Sequence, residues 1–269
     1  MTTPSDTYTH GHHDSVLRSH RWRTVENSAA YLRPHLRPGL SLLDVGCGPA
    51  TLSVDLARAV APGPVLAIDV VDDALAEARD HAATTGVDTI EFRVDDAYDL
   101  QVPAETFDVV HAHQVLQHVS DPVRLLRELR RVCADGGIVA ARDADYAAFS
   151  WHPADPVLDR WLELYHVVAR GNDAEPDAGR QLLGWALDAG FAQVTPSASV
   201  WCHATADERH WWSELWADRV RESAFAQQAL DRGLTDADEL AAIAAAWRRW
   251  GASDRGWLAI VHGEIVCRG

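Results

Sequence analysis

The sequence predicts an α/β fold, a mostly parallel sheet with helices between its strands, and three observations carry that reading. The first is LLDVGCGPAT, Leu42 to Thr51, where an apolar run meets a Gly-x-Gly turn and passes into Leu52 to Val60 with apolar residues at helical spacing. That order is strand, tight turn, helix. The second is the alternation of further short apolar runs, at Val65 to Asp69, Ile90 to Val94, Phe107 to Ala112 and Ile138 to Ala141, with helical stretches between them. The third is composition: 269 residues, 47% hydrophobic and 24% charged, suit one large soluble domain or one domain with a sizeable insertion.

The turn is built for a nucleotide. Glycines at 46 and 48 remove the Cβ atoms that would hold a ligand off the backbone, and the N–H groups of the following helix face whatever sits there. The dinucleotide fingerprint calls for a third glycine, and here that place is Thr51. Asp44, just ahead of the first glycine, would repel a diphosphate and attract an ammonium group. Asp69 ends the second strand 23 positions after Gly46, where a ribose diol is usually gripped. A cationic adenosyl ligand fits better than a dinucleotide.

At these residues the chain resembles the class I S-adenosylmethionine-dependent methyltransferases, in particular the small-molecule members related to the ubiquinone/menaquinone methyltransferases. The resemblance runs from about Leu40 to Val139 through LLDVGCGPAT, AIDV, VDDA, FDVVHAHQVLQHVSDP and ELRRVCADGGIV, in that order. It implies a Rossmann-like, seven-stranded, mostly parallel sheet with a terminal antiparallel strand pair and a helical cap, with S-adenosyl-L-methionine as cofactor. It further implies cofactor contacts at Asp44, Gly46, Gly48, Asp69 and Val70. Asp96 is expected on the adenine amino group and the Ala97 N–H on the ring. Ala50 stands where glycine is common, a change that costs little if ordinary φ suffices there.

The implied organisation is a tail and leading helices over 1–39, the cofactor-binding core over 40–145, and helical cap insertions over 146–176 and 203–254. A core helix and strand occupy 177–202 and the last core strand 255–269. His10, His12 and His13 lie in the polar tail; without a partnering carboxylate or thiol cluster they read as tail or lid, and no metal is expected. Ser15 to Leu36 reads as one or two helices that close the cofactor pocket, and Arg21 there is a candidate for the cofactor carboxylate. Asp72 is read as an N-cap of the helix running to His81, with Gly86 ending it. Asp121-Pro122 starts a helix whose stripe is Leu125, Leu126, Leu129, Val132 and Cys133, stopped by Gly136-Gly137, with Asp143 and Asp145 just past the next strand. Phe191 to Val200 and Leu258 to Cys267 read as the antiparallel pair. Ten of eleven tryptophans fall between Trp151 and Trp257, most of them expected to anchor a small core and two or three to face the pocket.

Net charge −16 argues against a nucleic-acid partner, because phosphate backbones bind through Lys and Arg. Four scattered cysteines and the lack of a signal peptide or of a spanning apolar run suggest a cytoplasmic protein off the membrane. Oligomeric state stays open, a homodimer included. Methyl transfer from a sulfonium asks the protein for positioning, exclusion of water and sometimes a base. His113, immediately after the fourth strand, is expected near the sulfonium and amino-acid end of the cofactor. His118 matches the position where resembling O-methyltransferases hold a base, and Asp143 the acid that partners it. His118 as a simple helix cap is the competing reading, and Arg142 is a cation beside Asp143 that competes for its charge. The expected activity is methylation of a small molecule at oxygen or nitrogen, in secondary metabolism. C-methylation of a quinol-type ring and a non-methylating cofactor binder are the alternatives. A nicotinamide reductase would need the missing third glycine.

Overall fold

The computed structural model describes Asp6, Thr9 and residues 14–268; His10, His12 and His13 lie outside the described residues. Two short helices lead, α1 (Asp14–Arg21) and α2 (Val25–Ser28). The core follows as β1 (Leu42–Val45), α3 (Thr51–Val60), β2 (Val65–Asp69), α4 (Asp72–Thr84), β3 (Ile90–Val94), β4 (Phe107–His113), α5 (Pro122–Val132) and β5 (Cys133–Ala144). The C-terminal part is β6 (Ser150–His152), α6 (Pro156–Arg170), α7 (Ala178–Asp188), β7 (Gln193–His203), α8 (Ala206–Glu222), α9 (Ala224–Asp231), α10 (Ala237–Ala252) and β8 (Trp257–Arg268).

The strands form one sheet in the order β3-β2-β1-β4-β5-β8-β6, with β7 on the other edge of β8. β1 to β5 pair in parallel, and β8 runs antiparallel to all its neighbours. Strand order reverses between β1 and β4, the switch point at which open α/β sheets bind ligands. Among the described residues the sheet has eight strands, not the expected seven. The added one is β6, inside the stretch read as helical cap; its three residues pair with Trp257, Leu258 and Ala259 where β5 has left the edge of β8.

Alternation along the strands sends side chains to two cores. Leu43, Val45, Val110, Ala112, Val139 and Ala141 pack against α5 and α7, while Leu42, Val109, Ile138 and Ala140 pack against α3. α5 starts as expected, with Asp121 accepting from the Arg124 N–H at 2.9 Å and Pro122 in the first turn. The N-cap of α4 is Val71, so Asp72 sits inside the first turn, favourable there for the helix dipole. A third core holds the C-terminal helices together. Trp161, Trp216 and Trp247 are wholly buried, with Trp161 edge-on to Trp216 at 4.5 Å and to Trp247 at 4.9 Å.

β5 departs from expectation at both ends. It opens at Cys133 with Gly136 and Gly137 in an irregularity, since Phe107 pairs with Cys133 and Val109 with Ile138. It also runs on through Asp143, because Arg142, Asp143 and Ala144 pair with Glu264, Gly263 and His262 of β8. Asp143 therefore lies within a strand rather than after one.

Candidate active site

A cavity of about 760 Å³ opens at the carboxyl end of β1, β2 and β4. Its floor is the glycine turn. Gly46 and Gly48 have φ of 67° and 51°, and a Cβ on Gly46 would come within 2.6 Å of Val115 Cγ2. The Cys47 N–H donates to Ile68 O and the Gly48 N–H to Asp69 Oδ2, each at 3.0 Å, so the turn is tied to the end of β2. Ala50 has φ of 59°, which corrects the expectation of ordinary φ; the position asks for the left-handed region and alanine pays steric strain there.

Asp44 is buried and ties β1 to β4 and α3, with Oδ1 2.8 Å from His111 Nδ1 and Oδ2 accepting from the Ser53 hydroxyl. The second oxygen of Asp69 accepts from the Val71 N–H. Asp96 is exposed at the rim and accepts from the Tyr98 N–H at 2.9 Å, with Val70 and Ala97 beside it in the wall. Asp95, not Asp96, is the buried acid of that pair, spent on the backbone N–H groups of Asp96 and Gln101.

The leading helices reach the cavity, as expected, but through other residues than Arg21. Thr51 Oγ1 donates to His20 O at 3.0 Å, and Ser19, His20 and Arg23 line the space. Arg21 is not among the lining residues; it pairs with Glu77 at 2.6 Å on the surface. Arg23, two residues past the end of α1, instead donates to the Gln114 amide oxygen at 2.5 Å.

The expected His118–Asp143 pair is not formed. Asp143 Oδ1 accepts from the Gln117 N–H at 3.1 Å, Oδ2 has no hydrogen-bond partner among the described residues, and the residue does not line the cavity. Burial pushes its carboxyl up to about 7, against the pull of the Gln117 and Leu116 N–H groups and Arg142. His118 does line the cavity, with Nε2 2.9 Å from Gln117 Nε2. Gln117 Oε1 accepts from the Ala144 N–H, so its amide nitrogen donates to the imidazole and the His118 proton sits on Nδ1. Burial, helped by Arg23 and Arg219, pushes His118 down to about 3, and the ring is neutral at physiological pH. A base held neutral with its Nε2 lone pair occupied is poorly placed to take a proton.

His113 is the last residue of β4 rather than the first after it, buried and in the cavity wall. Arg142 Nη1 donates to His113 Nε2 at 3.0 Å, and Arg142 is itself held by Glu264 at 3.3 Å and Ser199 Oγ at 3.1 Å. The pleat sends Arg142 and Asp143 to opposite faces, so the cation turns to Glu264 and leaves its neighbour. Tyr146 and Phe149, stacked at 4.4 Å, join Trp201 and Trp212 as the aromatic wall. Arg23, Trp201 and Trp212 were not legible as wall residues, since all three come from segments far from β4 in sequence. Among the described residues no cluster of His, Cys, Asp or Glu could hold a metal, and no helix is long and apolar enough to cross a membrane.

A methyltransferase domain family matches residues 36–221. An uncharacterised methyltransferase of Schizosaccharomyces pombe is 34% identical over 278 residues, covering 99% of this chain and 98% of that protein. A probable methyltransferase of Aspergillus luteorubrus is 26% identical and covers 98% of both. Among solved structures, the phosphoethanolamine N-methyltransferase 2 of Haemonchus contortus with S-adenosyl-L-methionine superposes with a TM-score of 0.55 at 15% identity, over 89% of this chain and 51% of that one, a likeness of fold. The chain therefore belongs to the methyltransferase domain family, as a class I S-adenosylmethionine-dependent methyltransferase.

Proposed function

We propose that the protein transfers a methyl group from S-adenosyl-L-methionine to an oxygen or nitrogen of a small molecule, in secondary metabolism. The observation that carries the reading is a single cavity that takes in both the glycine turn with Asp69 and Asp96 and the aromatic wall of Tyr146, Phe149, Trp201 and Trp212. The donor set fits an adenosyl sulfonium: acceptor carboxylates for a diol and an amino group, and bare backbone at Gly46 where a side chain would collide. When bound, the cofactor supplies a methyl group already activated by its positive sulfur.

The chain's own work is then positional. Asp69, steadied by the Gly48 N–H, accepts from the ribose hydroxyls, and Asp96 with the Ala97 N–H reads the adenine edge, beside Val70. Asp44, in the cavity wall just ahead of the turn, lends negative charge to the ammonium end, and Arg23 takes the carboxylate role expected of Arg21. His113 and His118 belong to the acceptor side as neutral groups, and Asp143 acts through Gln117 by fixing the turn that carries His118. The enclosed cavity and the net charge of −16 support a small acceptor over a nucleic acid. The four free cysteines are in keeping with a reducing, cytoplasmic setting.

Isothermal calorimetry with S-adenosylmethionine, S-adenosylhomocysteine and NAD tests this. The first two should bind and NAD should not. NAD binding as tight as S-adenosylhomocysteine would overturn the reading.

A further inference from the structure

Arg23 is anchored at two points that flank the glycine turn. Its backbone N–H donates to His20 O at 3.1 Å, and the same carbonyl accepts from Thr51 Oγ1 at 3.0 Å, at the start of α3. Its Nη2 donates to Gln114 Oε1, in the segment that leaves β4. The next residue, Val115, is the one that a Cβ on Gly46 would strike, so the Gln114–Val115 segment lies against the turn. Arg23, Gly46, Thr51 and Gln114 all line the cavity.

The Gln114 amide has a single consistent orientation. A guanidinium only donates, so Oε1 faces Arg23 and the amide nitrogen faces His262 Nε2 at 3.0 Å. His262 Nδ1 lies 3.1 Å from Ile260 O, which only accepts, so the ring proton sits on Nδ1 and Nε2 accepts from the amide. His262 is wholly buried, and burial, helped by Arg142 and Arg23, pushes its ionisation down, which keeps the ring neutral. The backbone is pinned as well. Gln114 has φ of 54°, rare for a residue with a Cβ, and its N–H donates to Arg142 O at 2.7 Å.

We infer that Gln114 is a positioning residue: by holding Arg23 it fixes the contact with the carboxylate of the cofactor's amino-acid end, and so favours S-adenosylmethionine over adenosyl thioethers that lack that end. A guanidinium whose fork is held in advance loses fewer rotamers when a carboxylate arrives. Gln114 supplies that restraint with a neutral oxygen, which leaves the charge of Arg23 to the ligand, where an acidic residue at 114 would compete for it. This assignment deepens the proposed function and rests on the role given there to Arg23.

Isothermal calorimetry on the full chain tests it with two ligands, S-adenosylhomocysteine and methylthioadenosine, which keeps the adenosine and the sulfur and lacks the amino-acid end. Arg23→Met should bind S-adenosylhomocysteine about tenfold more weakly and Gln114→Met about fivefold, each holding methylthioadenosine as the natural chain does. Because Gln114 acts through Arg23, the double variant should be no weaker than Arg23→Met alone. His262→Phe removes the far end of the same chain of donors and should repeat the Gln114→Met pattern, which keeps the test decisive if Gln114→Met does not fold. Gln114 loses this role if either folded variant binds S-adenosylhomocysteine as well as the natural chain, if methylthioadenosine is weakened to the same extent, as a merely structural change would do, or if the double variant multiplies the two losses. An Arg23→Met variant with unchanged S-adenosylhomocysteine affinity would overturn the role of Arg23 in the proposed function, and a natural chain that does not bind S-adenosylhomocysteine the cofactor reading itself; either result removes the role of Gln114 with it.

Discussion

Gln117 Nε2 lies 2.9 Å from His118 Nε2, and since Gln117 Oε1 already accepts from the Ala144 N–H, the amide must donate to the imidazole. Asp143 enters one step back, accepting from the Gln117 backbone N–H. The order is strand, turn, amide, imidazole. Asp143 thus reaches His118 through Gln117 and not by a direct hydrogen bond.

The titration of His118 follows. With the ring pushed down to about 3, its ¹⁵N resonances should keep the neutral, Nδ1-protonated pattern from pH 8 to pH 5. A midpoint near the ordinary histidine value would contradict the account and return His118 to the role of base.

Asp143 makes stability depend on pH. Its carboxyl ionises near 7 in the folded state against an ordinary value of 3.8, so between these values the folded chain holds a proton that the unfolded chain has released. Stability contributed by this group falls as pH rises through that window and is level above it. Asp143→Asn keeps an oxygen for the Gln117 N–H and cannot ionise. Relative to this variant, the natural chain should lose about 2 to 3 kcal/mol between pH 5 and pH 8 in urea unfolding. An equal difference at both pH values would refute the raised ionisation.

Ala50 and Gly46 should respond in opposite ways. Ala50, at φ 59°, carries a left-handed penalty of about 1 to 2 kcal/mol that glycine would relieve at an entropic cost of about 0.5 to 1. Ala50→Gly should therefore be neutral or stabilising by up to about 1.5 kcal/mol. Gly46→Ala adds a methyl 2.6 Å from Val115 at φ 67° and should destabilise by about 1 to 3 kcal/mol. Urea unfolding of both variants checks the pair, and a destabilised Ala50→Gly would show the turn geometry to be wrong.

Much of the core was legible because its signals are local. The Gly-x-Gly turn, the acids at 44 and 69 and the Asp121 cap each depend on residues adjacent in sequence, while the antiparallel closing pair, whose strands lie far apart in the chain, was given by the family resemblance. What stayed hidden depends on partners far apart. Arg142 finds Glu264, 122 positions on, only because β5 continues along β8, and a one-residue change of face separates it from Asp143. β6 is three residues long, too short for periodicity to mark. Arg21 and Arg23 differ by two residues, and only the end of α1 decides which reaches the cavity. The Ala50 strain was invisible because a tight turn's φ is set by its closure and not by the residue that occupies it.

The central claim is that the turn at 46–48 receives the adenosyl sulfonium. A crystal structure of the protein grown with S-adenosylhomocysteine tests it most directly. The account predicts density with the ribose on Asp69, the adenine at Asp96 and Ala97, and the sulfur facing His113 and the aromatic wall. Density for the ligand at another place, with the turn closed by its own side chains, would contradict it.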